Sequence, residues 1–417
     1  MSLFRIEGGH RLNGEITLQG SKNSALPILA ASLLIDGQTI LHNCPDLSDV
    51  KAAINILQSL GCKCRYNKTD VYIDSSSVVC NTVPDKLMRE MRSSVVFLGA
   101  ILARCSTASI TAPGGCELGP RPIDLHLKAI KELGFSVDES LGVIKCARCE
   151  FPERIELSLD FPSVGATENI ILASVLSKST VVLHNAAREP EICDLADFLN
   201  KSGGKIKGAG TGKIEICGVD KLNSVEHTVI PDRIAAATYM SAAAVTRGSV
   251  YIKNVNIEHI KSIISSFREI GCKIQCCDNS LKIATPAKLN RIKSLRSTVY
   301  PGFPTDAGPL LISTLVSASG TSTFVETIFE NRFNYIGELK RLGADIKTYD
   351  RVAVVEGVPR LYGAKLSSTD LRGGAAVVIA ALCAEGISTV DKIHHIERGY
   401  EDIVGVLSSL NAKIIKE

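Results

Sequence analysis

Cys116 lies in the segment Thr111-Ala112-Pro113-Gly114-Gly115-Cys116-Glu117-Leu118-Gly119-Pro120-Arg121-Pro122-Ile123-Asp124, the least core-like setting of any of the 14 cysteines. A cysteine reacts through its thiolate, and a neighbouring guanidinium such as that of Arg121 favours that charged form. Gly and Pro at this density suit a lid that closes over a small substrate. Cations gather at other loop ends. Lys22, Arg92, Arg233 and Arg372 each stand just before an Ala-rich stretch of helical pattern, and Ser163-Val164-Gly165 and Asp306 take the two remaining places of that kind. A helix N-terminus presents unpaired N–H groups and the positive end of the dipole, so a Lys or Arg there opposes the helix and is not explained by stability. Cation and helix end together make a site for phosphate or carboxylate. Arg121, Arg188, Arg332 and Arg398 recur at a second set of loop ends. A single Arg is ordinarily a solvated surface residue; recurrence at one place in a pattern points instead to a multiply anionic small substrate.

The elements that must hold these residues repeat along the chain. A helical apolar pattern ending in a Gly-type stop and followed by a short strand occurs at Leu60-Gly61, Leu133-Gly134, Ser202-Gly203, Ile270-Gly271, Leu342-Gly343 and, degenerately, Leu410-Asn411, at steps of 68 to 73 residues. Upstream of each stop lies an Ala-rich helix: 25–34, 95–103, 166–176, 234–245, 308–316 and 373–383. The strand Thr39-Ile40-Leu41-His42-Asn43 is echoed by Thr180 to Asn185 and by Ser249 to Asn254. The sixth unit lacks its last strand, and Phe4-Arg5-Ile6-Glu7-Gly8 has the alternation to supply it. The expected fold is therefore α/β, six repeats of a βαβαββ-type unit, three in each of two globules. The first globule is expected over 22–230 and carries the Cys116 loop. The second is expected over 231–417 plus 1–21, with the active site in the cleft between them. A solenoid is the competing reading of any such period, but no capping repeat is present and the terminus closes the pattern.

Composition narrows the function further. The 47 Lys and Arg against 44 Asp and Glu leave a balance of +3, Trp is absent and aromatics are 5%, so no extended basic and aromatic face for nucleic acid is expected. No apolar run reaches the roughly 20 residues of a membrane helix, and Met1-Ser2-Leu3-Phe4-Arg5 lacks the order of a signal peptide, which predicts a cytoplasmic protein with no membrane partner. The other cysteines then read as reduced, buried small hydrophobes without disulfides. Gly208-Ala209-Gly210-Thr211-Gly212 resembles a dinucleotide loop but joins two strands, so it reads as a hairpin turn. Cys146 and Cys149 have zinc-ligand spacing without a second pair, and His394-His395 lacks a partner at metal-binding spacing, so no metal is expected. No Walker loop is present.

With these residues in place, the chain resembles the enolpyruvyl transferases from end to end, and among them the branch acting on UDP-N-acetylglucosamine. The resemblance is carried by Gly20-Ser21-Lys22-Asn23-Ser24-Ala25-Leu26-Pro27, Met91-Arg92-Ser93-Ser94, Pro113-Gly114-Gly115-Cys116 with Arg121-Pro122-Ile123-Asp124-Leu125-His126, and Pro301-Gly302-Phe303-Pro304-Thr305-Asp306. Thr327-Ile328-Phe329-Glu330-Asn331-Arg332-Phe333, Asp370-Leu371-Arg372 and Arg398-Gly399-Tyr400-Glu401 complete it. Enolpyruvylshikimate-phosphate synthase, similar in fold, moves the same group; the Gly-Gly-Cys loop and Lys22-Asn23 separate this chain from it. Gly308-Pro309 after Asp306-Ala307, and Gly373-Gly374 after Arg372, depart from the usual pattern, at helix starts rather than at reacting groups.

The family's fold is the two-domain inside-out α/β barrel. The resemblance implies transfer of the enolpyruvyl group of phosphoenolpyruvate to the 3-hydroxyl of UDP-N-acetylglucosamine, releasing phosphate through a tetrahedral intermediate, as the first committed step of peptidoglycan synthesis. Such an addition needs an acid and a base. Cys116 is the expected proton donor and Asp306 the expected base, with Lys22 and Arg398 completing the catalytic set. Lys22, Asn23, Arg121, Arg332, Arg372 and Arg398 are expected to bind phosphoenolpyruvate. Asn23, Arg92, Arg121, Pro122, Ile123, Asp124, Leu125, Ser163, Val164, Gly165, Asp306 and Ile328 resemble the nucleotide-sugar contacts. No cofactor is implied, and fosfomycin is expected to alkylate Cys116. Two other classes stay open: a sugar-nucleotide binding protein that lost catalysis, against which Cys116, Asp306 and Lys22 argue, and a nucleic-acid binder, for which the aromatic residues are too few.

Overall fold

A computed structural model of the chain describes residues 2–91, 93–111, 123–149 and 152–417. The chain folds into two compact units, one of residues 2–19 and 231–417 and one of the described residues from 20 to 230. Each has its own hydrophobic core.

The core of each unit is made by three helices buried nearly all round. They are Lys22–Ser32, Phe97–Cys105 and Val164–Ser174 in one unit, and Arg233–Val245, Gly308–Leu315 and Leu371–Leu382 in the other. Only Asn23 of the first helix and only Arg233 of the fourth escape full burial. Helices that are apolar on every side belong in an interior, and small side chains let their backbones approach. A Cβ added at Gly99 would stand 2.4 Å from the Asn169 carbonyl oxygen of the neighbouring helix. The second helices of the units, among them Ser48–Ser59, Pro190–Lys201 and Lys261–Glu269, are amphipathic and bury one face. Each repeat's second helix stops at a residue in left-handed backbone. Gly61, Gly134, Gly203, Gly271 and Gly343 have φ between 95° and 108°, and Asn411, the degenerate sixth, has φ 75°.

Each repeat then adds one small open sheet, so the strands lie outside the buried helices. In the first, Val225–Thr228 pairs parallel with Gln38–His42, which pairs antiparallel with Asp70–Asp74, and that strand with Lys63–Asn67. Four more four-stranded sheets share this order. In the sheet of the sixth repeat the antiparallel place next to Ile387–Asp391 is filled by the N-terminal strand Phe4–Glu7, which also pairs with Lys413–Lys416. Asn43, Asn185 and Asn254 turn the chain out of their strands at φ 53° to 57°. Their side-chain amides donate to the carbonyls of Val229, Leu159 and Leu18 at 2.7–3.0 Å, in the segments that run on to Arg233, Val164 and Lys22. A recurrent Asn thus fixes the approach to three of the helix starts. Among the described residues no helix is long and apolar enough to cross a membrane.

His42, one residue before the first such Asn, bridges Asp70 through Nδ1 at 2.9 Å and Glu226 through Nε2 at 2.8 Å. Those two hydrogen bonds, Asp70 first, raise its pKa above the ordinary value. The stabilisation is therefore complete below about pH 6.5 and lost as the pH rises through the raised value. His42→Gln is expected to lower stability by about 0.5–1 kcal/mol at pH 5.5, in keeping with a part-exposed pair, and by less at pH 8.5. A denaturant midpoint difference that is equal at both pH values would remove the charge on His42 from the account.

Candidate functional site

The positions expected just before the first helices lie inside their first turns. Lys22 and Arg233 are the first residues of their helices, Arg372 is the second of its own, and Asp306 sits in the 3-10 turn Thr305–Ala307 that runs into Gly308–Leu315. For Arg233 and Arg372 the shift follows from the caps. Asp232 and Asp370 accept hydrogen bonds from the first free N–H groups, Asp232 from Ile234 and Ala235 and Asp370 from Arg372 and Gly373, so each helix begins one residue after a carboxylate.

Lys22 is buried, and its ammonium donates to Asp49 Oδ2 at 2.9 Å. Asn23 beside it is half-buried. The next residue, Ser24, donates to Asp194, which also bonds His227 Nε2 at 2.8 Å and accepts from the Ile230 N–H at 3.3 Å. This end of the helix is thereby tied to the helix Pro190–Lys201 and to the strand Val225–Thr228 through buried polar groups.

Ser163 caps the helix Val164–Ser174 by accepting from the Ala166 N–H. The segment Ile123 to His126 is brought against it, since a Cβ on Gly165 would lie 2.9 Å from His126 Cε1. The amide of Asn169 accepts from the Gly99 N–H through Oδ1 at 2.7 Å, which leaves Nδ2 to donate to the Val95 carbonyl at 3.0 Å and to His126 Nδ1 at 2.8 Å. Nδ1 of His126 is therefore the acceptor and Nε2 carries the proton. Asp124 is exposed, and Ile123 and Leu125 are half-buried.

Asp306, Arg332 and Arg372 meet in the other unit. Arg332 Nη2 pairs with Asp306 Oδ1, and Arg372 Nε pairs with Oδ2 at 3.3 Å. Burial by itself would raise the Asp306 carboxyl, but Arg332, then Arg372, outweigh it and hold that carboxyl well below the usual range. Arg332 also donates through Nε to Thr305 Oγ1 at 3.1 Å and lies over the Phe329 ring at 4.9 Å. Thr305 in turn donates through its hydroxyl to Glu326 Oε2 at 2.8 Å, and Glu326 Oε1 accepts from the N–H groups of Ile328 and Phe329. Arg372 reaches the hydroxyl of Tyr400 at 3.3 Å. Arg398, half-buried, follows the short helix His394–Glu397.

Four of the expected residues, Arg92, Cys116, Arg121 and Pro122, lie outside the described residues. Arg188 is exposed and leans over Gly212 in the turn between Lys205–Lys207 and Lys213–Cys217, as a surface Arg would. That hairpin settles Gly208 to Gly212 as a turn. No group of three metal ligands occurs among the described residues. The expectation of buried cysteines needs correcting: Cys149, Cys276 and Cys277 are exposed and six more are half-buried. Cys276 and Cys277 end a hairpin strand where it has left the core. Residue types alone do not single out Asp49, Asp194, His227 and Glu326, which hold the helix start and the arginine loop; the one signal for them is an acid or imidazole set within an otherwise apolar pattern.

Residues 6–407 match the family model for EPSP synthase (3-phosphoshikimate 1-carboxyvinyltransferase). The chain is 48% identical over 416 residues to UDP-N-acetylglucosamine 1-carboxyvinyltransferase 2 of Caldanaerobacter subterraneus subsp. tengcongensis, covering 100% of both chains. It is 46% identical to UDP-N-acetylglucosamine 1-carboxyvinyltransferase 1 of Symbiobacterium thermophilum, covering 99% of this chain and 94% of that one. Among solved structures, the enolpyruvyl transferase NikO from Streptomyces tendae superposes with a TM-score of 0.91 at 23% identity, covering 100% of this chain and 98% of that one, and so shares the fold. EPSP synthase from Acinetobacter baumannii superposes at 0.77 with 17% identity, each chain covered in full. A family model that spans nearly the whole chain, with relatives as near as these at full length, leaves one assignment: the chain belongs to the EPSP synthase family of 1-carboxyvinyl, or enolpyruvyl, transferases.

Proposed function

We propose that the chain transfers the enolpyruvyl group of phosphoenolpyruvate to the 3-hydroxyl of UDP-N-acetylglucosamine, releasing phosphate, in the cytoplasm, as the first committed step of peptidoglycan synthesis. The observation that carries this reading is the 48% identity over the full length of a relative of that name. In the addition step the sugar oxygen attacks C2 of phosphoenolpyruvate, its proton passes to Asp306, and C3 takes a proton from Cys116. In the elimination step C3 returns a proton to the Cys116 thiolate, the double bond re-forms, and the C2–O bond to phosphate breaks, the phosphate carrying off the proton that Asp306 took from the hydroxyl. Acid and base each supply roughly 10²- to 10⁴-fold. Lys22, Arg121 and Arg398 hold the phosphate, and Arg332 and Arg372 hold the carboxylate, with Asn23 beside them. Two guanidiniums already sharing one carboxylate, that of Asp306, support the last assignment. Asn23, Arg92, the segment Arg121 to Leu125, Ser163 to Gly165, Asp306 and Ile328 hold the nucleotide sugar. The packing of His126 against Gly165 supports grouping two of those segments.

Phosphate release from phosphoenolpyruvate is the test. Turnover is expected with UDP-N-acetylglucosamine and not with shikimate 3-phosphate. Release with shikimate 3-phosphate alone would move the chain to the other branch of its family. Binding of the sugar nucleotide without any release would make it a non-catalytic binder.

A further inference from the structure

The two guanidiniums assigned to the substrate carboxylate already hold one. Arg332 and Arg372 keep 2% and 4% of their side chains exposed, while Asp306 between them keeps 28%. Of the three, Asp306 is therefore the one that solvent reaches. The positive charge of Arg233 also acts on this carboxylate, and the hydroxyl of the preceding Thr305 is turned to Glu326. Buried guanidiniums left without an anion are costly, so an incoming carboxylate gains most if it takes over the donors that Asp306 occupies. We propose that Asp306 is a resident stand-in for the substrate's carboxylate, which displaces it from Arg332 and Arg372 when phosphoenolpyruvate binds and so frees Asp306 to accept the sugar hydroxyl proton. This rests on the assignment of Arg332 and Arg372 made under the proposed function.

The exchange gives the base a trigger. A carboxylate gripped by two arginines is a poor proton acceptor, and each pKa unit regained on release makes it tenfold better. Hydroxyl deprotonation then waits for the second substrate. The balance is simple, because one carboxylate replaces another on the same donors and the buried cations stay compensated throughout.

The test uses the full chain in a Cys116→Ser background, which prevents covalent capture of phosphoenolpyruvate, with no acceptor present. By calorimetry, adding Asp306→Asn is expected to tighten phosphoenolpyruvate binding at least tenfold, because a neutral amide no longer competes. Adding Arg332→Gln instead is expected to weaken it at least tenfold. In the background protein with Asp306 intact, the carbon-13 carboxyl signal of Asp306 is expected to titrate at a higher pH when phosphoenolpyruvate is saturating; this arm holds even if the Asn variant does not fold. Unchanged or weaker binding to a folded Asp306→Asn protein, or an unmoved Asp306 midpoint, overturns the exchange while leaving the arginine assignment standing. Unchanged binding in Arg332→Gln overturns that assignment and the exchange with it.

Discussion

Fosfomycin, a small epoxide phosphonate that mimics the phosphate end of phosphoenolpyruvate, is expected to alkylate Cys116 one for one and to leave the other 13 cysteines unmodified. A thiol opens an epoxide as its thiolate, so selectivity depends on who can ionise and who can be reached. Burial is the main reason the thiols of Cys146, Cys272 and Cys383 are pushed up to about 11 and that of Cys64 to about 12, which silences them near neutral pH. Cys149, Cys276 and Cys277 are the stricter control, because they are exposed yet stand at none of the proposed anion-binding positions. Cys116→Ser is expected to lower kcat by roughly 10²- to 10⁴-fold, since a serine hydroxyl is a very poor acid near neutral pH. Cys116→Asp is expected to resist the epoxide and to retain turnover, provided the site raises the new carboxyl enough for it to carry a proton. Intact mass and phosphate release decide the matter together. A stoichiometric adduct on another cysteine, or full activity with Cys116 modified, would show that the proton donor lies elsewhere.

The positions that could be named from type and spacing are those whose chemistry is local. A helix stop needs a residue that tolerates left-handed backbone, so the five glycines and Asn411 announce the repeat, the sixth copy more faintly because Asn is the second choice there. Arg332, Arg372 and Lys22 are legible because cations recur at corresponding loop ends, and those at a helix start oppose its dipole. Their partners are not legible, because pairing is a property of the fold. Lys22 meets Asp49 across 27 residues and Ser24 meets Asp194 across 170, and no period in the sequence encodes either distance. Glu326 looks like a strand end and becomes the acceptor of a loop's N–H groups only once that loop turns back over it. The three exposed cysteines mislead for a related reason, since apolar residue type predicts burial only where the strand carrying it stays over the core.

Lys22 is where a partner set by the fold has the largest measurable effect, because one side chain is asked to do two things. Its ammonium compensates Asp49, whose side chain is 3% exposed, and it is also assigned to the substrate phosphate. Lys22→Ala is thus expected to take a charged partner from that buried carboxylate, at a cost of about 3–5 kcal/mol in unfolding free energy. The same change is expected to lower kcat/KM for phosphoenolpyruvate by roughly tenfold to a hundredfold, the worth of one charge-assisted contact of about 1.5–3 kcal/mol. The two effects separate in the double variant Lys22→Ala with Asp49→Asn. Removing both charges takes away the buried carboxylate that needed compensation, so most of the lost stability should return, while use of phosphoenolpyruvate stays impaired because no cation has been restored. UDP-N-acetylglucosamine binding should change little in either variant. Denaturant unfolding and steady-state kinetics on the single and double variants check this. If the double variant recovers kcat/KM along with stability, Lys22 acts through the fold alone and its place on the phosphate is lost; if neither recovers, the ion pair with Asp49 is not what holds the helix start.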